Sequence, residues 1–348
     1  MKKKYVIPLF VPHMGCPHQC VFCDQRTISG QRGIPDVVNT IEEYLRSFKN
    51  KEIPIEVAFY GGSFTAIPIE IQRELLEKTV PYIKSGKVQK IRLSTRPDAI
   101  SHEILDFLKE YNVSIIELGV QSLNNKVLEL SGRGHNSEIV FWASKRIKES
   151  GFTLGIQLMP GLPGDTREKI FSTVQDVIAI KPDFVRIYPT VVVKGTPLEK
   201  MYKDGKFTPL SLQCAIQLAA EMYEEFYEAG ISVIRLGLQP TEELLSADCI
   251  VAGPFHPAFG ELVKGEIAFK EMCKSLDDFY KHNPDSEKIE IHVPHKKLSI
   301  FLGQRKINME RIYDKYSREI RLRGEKNLFH RIVITNNSGI TKEYQTKL

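Results

Sequence analysis

Three cysteines, Cys16, Cys20 and Cys23, stand in the spacing C-x3-C-x2-C within Met14-Gly-Cys-Pro-His-Gln-Cys-Val-Phe-Cys23. Thiolates so close together on one loop are a metal-binding set. Three of them fit a [4Fe–4S] cluster with one iron left open to bind another ligand, whereas structural zinc wants four closed ligands. Zinc requires His13 or His18 as the fourth ligand. Coincidence among buried thiols is disfavoured, because the cysteines alternate with Pro17, His18 and Gln19 and lie outside any apolar run.

The loop follows an apolar stretch, residues 5–11, that reads as a first strand. Residues 36–48 place Val37, Ile41, Tyr44, Leu45 and Phe48 at helical spacing, with Asp36 suited to the cap. Strands are then predicted over 55–60, 90–95, 114–120, 153–159 and 184–189, and helices over 68–84, 101–111, 124–150 and 167–180. Such alternation gives a parallel sheet. A helix over 211–228 and a strand over 233–238 extend the series. Periodicity leaves a barrel and an open doubly wound sheet equally possible.

In either architecture, Gly61-Gly62, Arg96-Pro97-Asp98, Gln121-Ser122, Pro160 to Gly164 and Tyr188-Pro189-Thr190 fall at the C-terminal ends of strands. That rim is where parallel α/β folds bind ligands. Gly61-Gly62 lets a ligand approach the backbone closely, or is a plain turn. Gln121 offers a donor and an acceptor to the rim, or is a satisfied amide. Arg96 is placed to meet a carboxylate bidentately or to pair with Asp98. His135, in Ser131-Gly-Arg-Gly-His135, is a polar loop histidine as readily as a reactive one.

The chain has 348 residues, 42% hydrophobic and 26% charged, the profile of an ordinary soluble protein. No run of about eighteen apolar residues is present, and no signal-peptide core follows the Lys-rich start, so a cytoplasmic protein without a membrane span is expected. Cys214, Cys249 and Cys273 are expected as buried thiols. The net charge of +5 is uneven: residues 281–348 hold 15 Lys and Arg against 8 Asp and Glu, leaving 33 against 35 for residues 1–280. A basic C-terminal part is a solvated face or an electrostatic footprint for nucleic acid. Within it a strand over 288–293, a helix over 304–316 and strands over 319–323 and 329–335 make a small α+β unit. Arg321 and Arg323, two apart on a strand, face one way, and Arg305 and Lys306 open the helix, so these four are placed to track a phosphate backbone.

The cysteine loop, with Phe22 before the last cysteine, resembles the cluster motif of the radical S-adenosylmethionine (radical SAM) superfamily. Phe59-Tyr-Gly-Gly-Ser-Phe-Thr65, Ser94-Thr-Arg-Pro-Asp98, Glu117-Leu-Gly-Val-Gln-Ser122, Arg133-Gly-His135, Met159-Pro-Gly-Leu-Pro-Gly164 and Ile187-Tyr-Pro-Thr190 through Gly195-Thr196 resemble, in order over residues 5–205, the radical SAM half of the Elongator catalytic subunit, a transfer RNA modification enzyme. Coproporphyrinogen oxidases of the oxygen-independent type share the plan but match these words less well. The resemblance implies an α/β fold, a partial (β/α)6 TIM-like barrel over residues 1–240 with its cluster loop at 14–24, and a small C-terminal α+β domain over 241–348. It implies Cys16, Cys20 and Cys23 on a [4Fe–4S] cluster, and Phe22, Gly61, Gly62, Ser63, Arg96 and Gln121 around S-adenosylmethionine, whose amino and carboxylate groups chelate the open iron. Arg133, His135 and Tyr188 are then the candidate catalytic side chains.

The implied chemistry is reductive cleavage of S-adenosylmethionine to a 5′-deoxyadenosyl radical that abstracts a substrate hydrogen. Transfer RNA or another RNA is the expected substrate and a flavodoxin or ferredoxin the expected reductant. A small-molecule or tetrapyrrole substrate is the alternative, and a non-enzymatic metal-containing RNA-binding protein a second. Elongator's acetyltransferase domain has no room after this barrel, and only fifteen residues precede Cys16, so carboxymethylation of uridine is not expected to carry over.

Overall fold

The computed structural model describes residues 4–11, 16, 18–23, 33–50, 52–239 and 249–348. Of the loop 14–24, residues 14, 15, 17 and 24 lie outside the described residues, as do His13 and the expected domain boundary at 240–241. Contacts divide the chain into two compact units, Met1–Ser211 with Glu228–Phe255, and Leu212–Tyr227 with His256–Leu348.

The first unit is built on seven parallel strands: β1 (Tyr5–Val11), β2 (Ile55–Gly61), β3 (Lys90–Thr95), β4 (Val113–Gln121), β5 (Thr153–Leu158), β6 (Phe184–Ile187) and, after the two-residue β7 (Val192–Val193), β8 (Ser232–Leu236). Their order is β1-β2-β3-β4-β5-β6-β8, so neighbours in space are neighbours in sequence. Between them run helices α1 (Val37–Ser47), α2 (Ile69–Lys84), α3 (His102–Glu110), α4 (Asn125–Leu130), α5 (Ser137–Glu149), α6 (Arg167–Ile180) and α7 (Pro197–Lys203). Most begin on a side-chain cap: Asp36, Ser101, Asn124, Asn136, Thr166 and Thr196 each accept from the N–H three residues on. β7 pairs antiparallel with β9 (Ile250–Ala252), a small ribbon that the β-α rhythm does not announce.

The sheet is curled into a partial barrel. In a flat sheet β2 and β6, four steps apart, would be about 19 Å from each other. Here Tyr60 Oη on β2 accepts from Arg186 Nη2 just past the middle of β6 at 2.9 Å. Only a concave face brings those side chains together.

The second unit takes helix α8 (Leu212–Glu228) as far as Tyr227 and is dominated by α9 (Phe259–His282), a 24-residue helix. α9 buries Phe259, Val263, Ile267, Met272, Leu276 and Phe279. Four strands follow the order β11-β10-β12-β13: β10 (Lys288–Pro294), β11 (Glu319–Glu325), β12 (Arg331–Asn336) and β13 (Thr341–Gln345). β10 and β11 are parallel and the other pairs antiparallel. Helices α10 (Leu298–Leu302) and α11 (Ile307–Tyr316) lie between β10 and β11 in sequence. Two buried acids tie the unit: Glu266 pairs with Arg311 at 2.7 Å, and Glu271 accepts from Thr346 Oγ1 at 2.5 Å and the Lys347 N–H at 2.7 Å.

The helix expected over 304–316 is in two pieces. Residues Gln304–Lys306 form a 3-10 turn in which Arg305 (φ 53°) and Lys306 (φ 64°) are left-handed, and the α-helix starts only at Ile307. Asn308, buried, pins this turn by donating to Gly265 O at 2.8 Å and Phe301 O at 3.1 Å. No helix among the described residues is long and apolar enough to cross a membrane.

Candidate cluster and cofactor site

Each sequence-marked rim residue sits at a strand end because the strand runs out of apolar residues there. β2 ends at Gly61, whose φ of 101° is accessible only without a side chain, and Ser63 follows at φ 38°. Gly62 N–H donates to Val11 O, the last residue of β1, at 3.2 Å. β4 ends at Gln121 with an irregularity in its pairing to β5 between Gly119 and Gln121, and Gln121 itself has φ 70°. A non-glycine residue held there is strained, and such strain clusters at ligand sites. Its Oε1 is buried with no hydrogen-bond partner.

The cysteine loop is seated on the segment after α4. Val21 N–H donates to Ser131 O at 3.0 Å, and Leu198 N–H to Val21 O at 2.8 Å. Gly132 (φ 64°) leaves only 3.1 Å between a hypothetical Cβ and Gln19 O. Gly134 (φ 74°) is tighter: a Cβ there would stand 2.3 Å from Cε1 of His18. The two glycines of Ser131-Gly-Arg-Gly-His135 therefore make room for the loop.

Two buried guanidiniums meet the sulfurs. Arg96 Nη1 lies 3.6 Å from Cys16 Sγ and 3.9 Å from Cys20 Sγ, and Arg133 Nη1 lies 3.4 Å from Cys20 Sγ. Arg96 also grips Asp98 bidentately at 2.9 and 3.0 Å and donates to Arg133 O, while Arg133 donates to Gly119 O. Burial would raise the Asp98 carboxyl pKa, but Arg96 outweighs it and holds the group below the usual carboxylate range. Among the described residues no three His, Cys, Asp or Glu side chains gather on a single metal ion. A four-iron cluster takes its cysteines on separate irons and needs no such gathering.

The other expected residues are spread more widely. Phe22 packs, with Val21, against the buried cluster of Val192, Leu198 and Phe207. His135 turns its Nδ1 to Asn136 O at 3.2 Å and leaves Nε2 buried without a partner. Burial, and then the charge of Arg133, pushes its imidazole down to about 4, so the ring is neutral at pH 7. It lines a cavity of about 600 Å³ together with Asp98, Asn125 and Glu129. Tyr188 is elsewhere, on the concave face, where its hydroxyl accepts from Arg186 Nη1 at 3.1 Å.

That face holds residues which the sequence reading does not single out. Glu56, Arg92, Glu117 and Arg186 form one chain of ion pairs across the barrel: Arg92 reaches Glu56 and Glu117 at 2.9 Å each, and Arg186 reaches Glu117 at 2.6 Å. Lys4 closes the end on Glu56 at 2.9 Å. The available signal is a single charge inside each apolar strand, as in Ile91-Arg-Leu93 and Ile115-Ile-Glu-Leu118.

Comparison with known proteins agrees with this arrangement. The Radical SAM superfamily model matches residues 10–177, and the Radical_SAM C-terminal domain model matches residues 182–268. An uncharacterized protein of Methanocaldococcus jannaschii is 32% identical over 242 residues, 64% of this chain and 74% of that one. The tRNA uridine(34) acetyltransferase of Methanocaldococcus infernus is 27% identical over 337 residues, 82% of this chain and 62% of the relative. In fold, the archaeal Methanocaldococcus infernus Elp3 with an N-terminal deletion superposes with a TM-score of 0.62 at 24% identity, over 78% of this chain and 64% of that one. The chain thus spans a little under two thirds of the length of the acetyltransferase and of the Elp3 structure. A curled parallel sheet, a three-cysteine loop after its first strand and both family models lead to one conclusion: the chain belongs to the radical SAM superfamily.

Proposed function

We propose that this radical SAM enzyme acts on RNA, with a [4Fe–4S] cluster on Cys16, Cys20 and Cys23 and S-adenosylmethionine along Gly61, Gly62, Ser63 and Gln121. The observation that carries the cofactor reading is the convergence of Arg96 and Arg133 on the cysteine sulfurs beside an unpartnered, buried Gln121 Oε1. Two guanidiniums suit an anionic cluster, and an orphaned acceptor on the rim suits a ligand that donates. When reduced, such a cluster supplies the electron that splits a carbon–sulfur bond of S-adenosylmethionine and yields the 5′-deoxyadenosyl radical. The protein's own part is to seat the loop on Ser131 to His135, to hold the ligand against the strand ends, and to keep water from the concave face. Arg133 stands nearest this centre. His135, neutral and turned to the neighbouring cavity, and Tyr188, on the concave face, are candidates for contact with substrate.

RNA as substrate is supported by the alignment, over 82% of this chain, to a protein named for tRNA uridine 34. The basic residues of the second unit refine where it would bind. Arg321 and Arg323 do share an exposed strand face, but Glu319 takes the first at 2.6 Å and Glu290 the second at 2.7 Å. Arg305, Lys306, Lys296 and Lys297 have no carboxylate partner among the described residues, and all but Lys297 are exposed. Lys264 adds to them: burial, and then the charge of Lys297, pushes its ammonium pKa down.

Two measurements test this reading. Anaerobic reconstitution should load about four irons per chain, and the electron paramagnetic resonance spectrum of the reduced cluster should change on adding S-adenosylmethionine. Stoichiometric zinc with no iron uptake would end the cofactor proposal. An anticodon stem-loop RNA should bind with a steep salt dependence, and changing Lys296, Lys297, Arg305 and Lys306 to Gln should flatten the logarithmic slope by roughly 0.7 for each phosphate that is no longer neutralised. Changing Arg321 and Arg323 to Gln should alter it far less. An RNA affinity equal in wild type and the first variant would remove this surface from the proposal.

A further inference from the structure

Arg186 on β6 and Arg235 on β8 are register partners on adjacent strands. Like charges directly opposite one another destabilise a sheet unless something neutralises them. Arg186 has its neutralising group in Glu117, at 2.6 Å. That carboxylate, however, is already shared with Arg92, and Glu56 is shared between Arg92 and Lys4. Two carboxylates thus serve Lys4, Arg92 and Arg186, and none among the described residues is paired with Arg235.

Arg235 is partly buried and is held by its own chain, donating Nε to Gly237 O and Nη2 to Leu238 O at 3.0 Å each. These carbonyls fix the guanidinium without cancelling its charge. Burial, together with the nearby Arg186, lowers its pKa. Tyr60 and Tyr188 complete the surroundings. Both hydroxyls accept from Arg186, at 2.9 and 3.1 Å, and neither donates to another described residue. Burial, then Glu117, pushes the Tyr60 phenol up to about 12, so it keeps its proton at neutral pH.

We propose that Arg235, Tyr60 and Tyr188, backed by Arg186, form an oxyanion receptor that takes a phosphate group of the substrate inside the barrel. One guanidinium and two phenolic hydrogens then point at an anion whose charge relieves the Arg186–Arg235 repulsion. Tyr60 immediately precedes Gly61, so this receptor lies beside the strand ends assigned to S-adenosylmethionine. That cofactor is a poor occupant: its sulfonium is a cation, and its carboxylate is engaged by the open iron in the reading above, on which this step rests.

The test uses reconstituted protein with S-adenosylmethionine bound and compares uridine, uridine 5′-monophosphate, inorganic phosphate and an anticodon stem-loop RNA by calorimetry. Wild type should bind the monophosphate roughly tenfold or more tightly than uridine, the worth of a charge-assisted hydrogen bond. Arg235→Gln should bring the two affinities together, Arg235→Lys should keep part of the preference, and Lys145→Gln on the exposed face of α5 should keep all of it. A preference that survives Arg235→Gln, or that is absent from wild type, overturns the receptor. If phosphate and the monophosphate bind through Arg235 but the RNA does not compete with them, the receptor stands and the RNA reading fails. If the RNA binds while Arg235→Gln leaves the monophosphate preference intact, the RNA reading stands and the receptor fails.

Discussion

Valine at position 132 should cost the protein more than half of the iron it takes up on anaerobic reconstitution, while leaving it folded. The backbone there has φ 64°, a left-handed conformation that costs an L-residue about 1–2 kcal/mol and a β-branched one more. A domain of this size absorbs that cost. The larger effect is local, because the added Cβ would fall 3.1 Å from the backbone oxygen of Gln19 and 3.8 Å from Cys20 Cα, before its methyl groups are counted. Val21 is tied to Ser131 O next door, so the backbone that carries Cys20 must shift to make room. Gly151→Val is the matched control: its φ is 83°, but nothing lies within 4 Å of its Cβ position. Both variants should lose similar thermal stability, and only Gly132→Val should lose iron. Equal iron in the two would show that Ser131 to His135 does not seat the loop.

What can be read from the sequence follows from how local each signal is. The β-α alternation, the rim placement of Gly61, Arg96 and Gln121, and the cysteine spacing are properties of short stretches, and the partial barrel with a separate C-terminal unit follows from them. The sheet has seven parallel strands, one more than the resemblance implies, and the seventh, β8, is the strand that the pattern marks over 233–238. The longest helix, α9, escapes the sequence reading because the prolines at 240, 254 and 257 mark the stretch before it as irregular. Its buried positions 259, 263, 267, 268, 272, 276 and 279 nevertheless follow i+3 and i+4 steps, so the pattern is present. β13 has the weakest pattern, Thr341-Lys-Glu-Tyr-Gln345, and exists because β12 offers it an edge. Non-local facts are out of reach. Nothing in the alternation of Arg321 and Arg323 reveals that Glu290, from a different strand, claims one of them. The two left-handed residues that delay α11 are held by Asn308 against Gly265, 43 positions away.

Glu117→Gln should destabilise the first unit by about 3–5 kcal/mol, the typical cost of removing one partner from a buried ion pair. Glu117 is fully buried and touches Arg92 at 2.9 Å and Arg186 at 2.6 Å, so the near-isosteric amide leaves Arg186 with no carboxylate and Arg92 with Glu56 alone. At about 2–4 °C per kcal/mol for a domain of this size, the midpoint of thermal unfolding should fall by roughly 10 °C. Arg92→Met leaves Glu56 to Lys4 and Glu117 to Arg186, so it should cost less. Combining the two should cost clearly less than their sum, since both break the Arg92–Glu117 contact, which can be lost only once. Added phosphate should restore part of the stability of Glu117→Gln, through the Arg186–Arg235 pair that then has no carboxylate at all, and should do little for Arg92→Met. Strict additivity in the double variant would mean that the ion pairs do not act as a unit. In that case the curl that brings Tyr60 to Arg186 is held by the apolar packing behind the strands, and the lumen charges are present for the ligand alone.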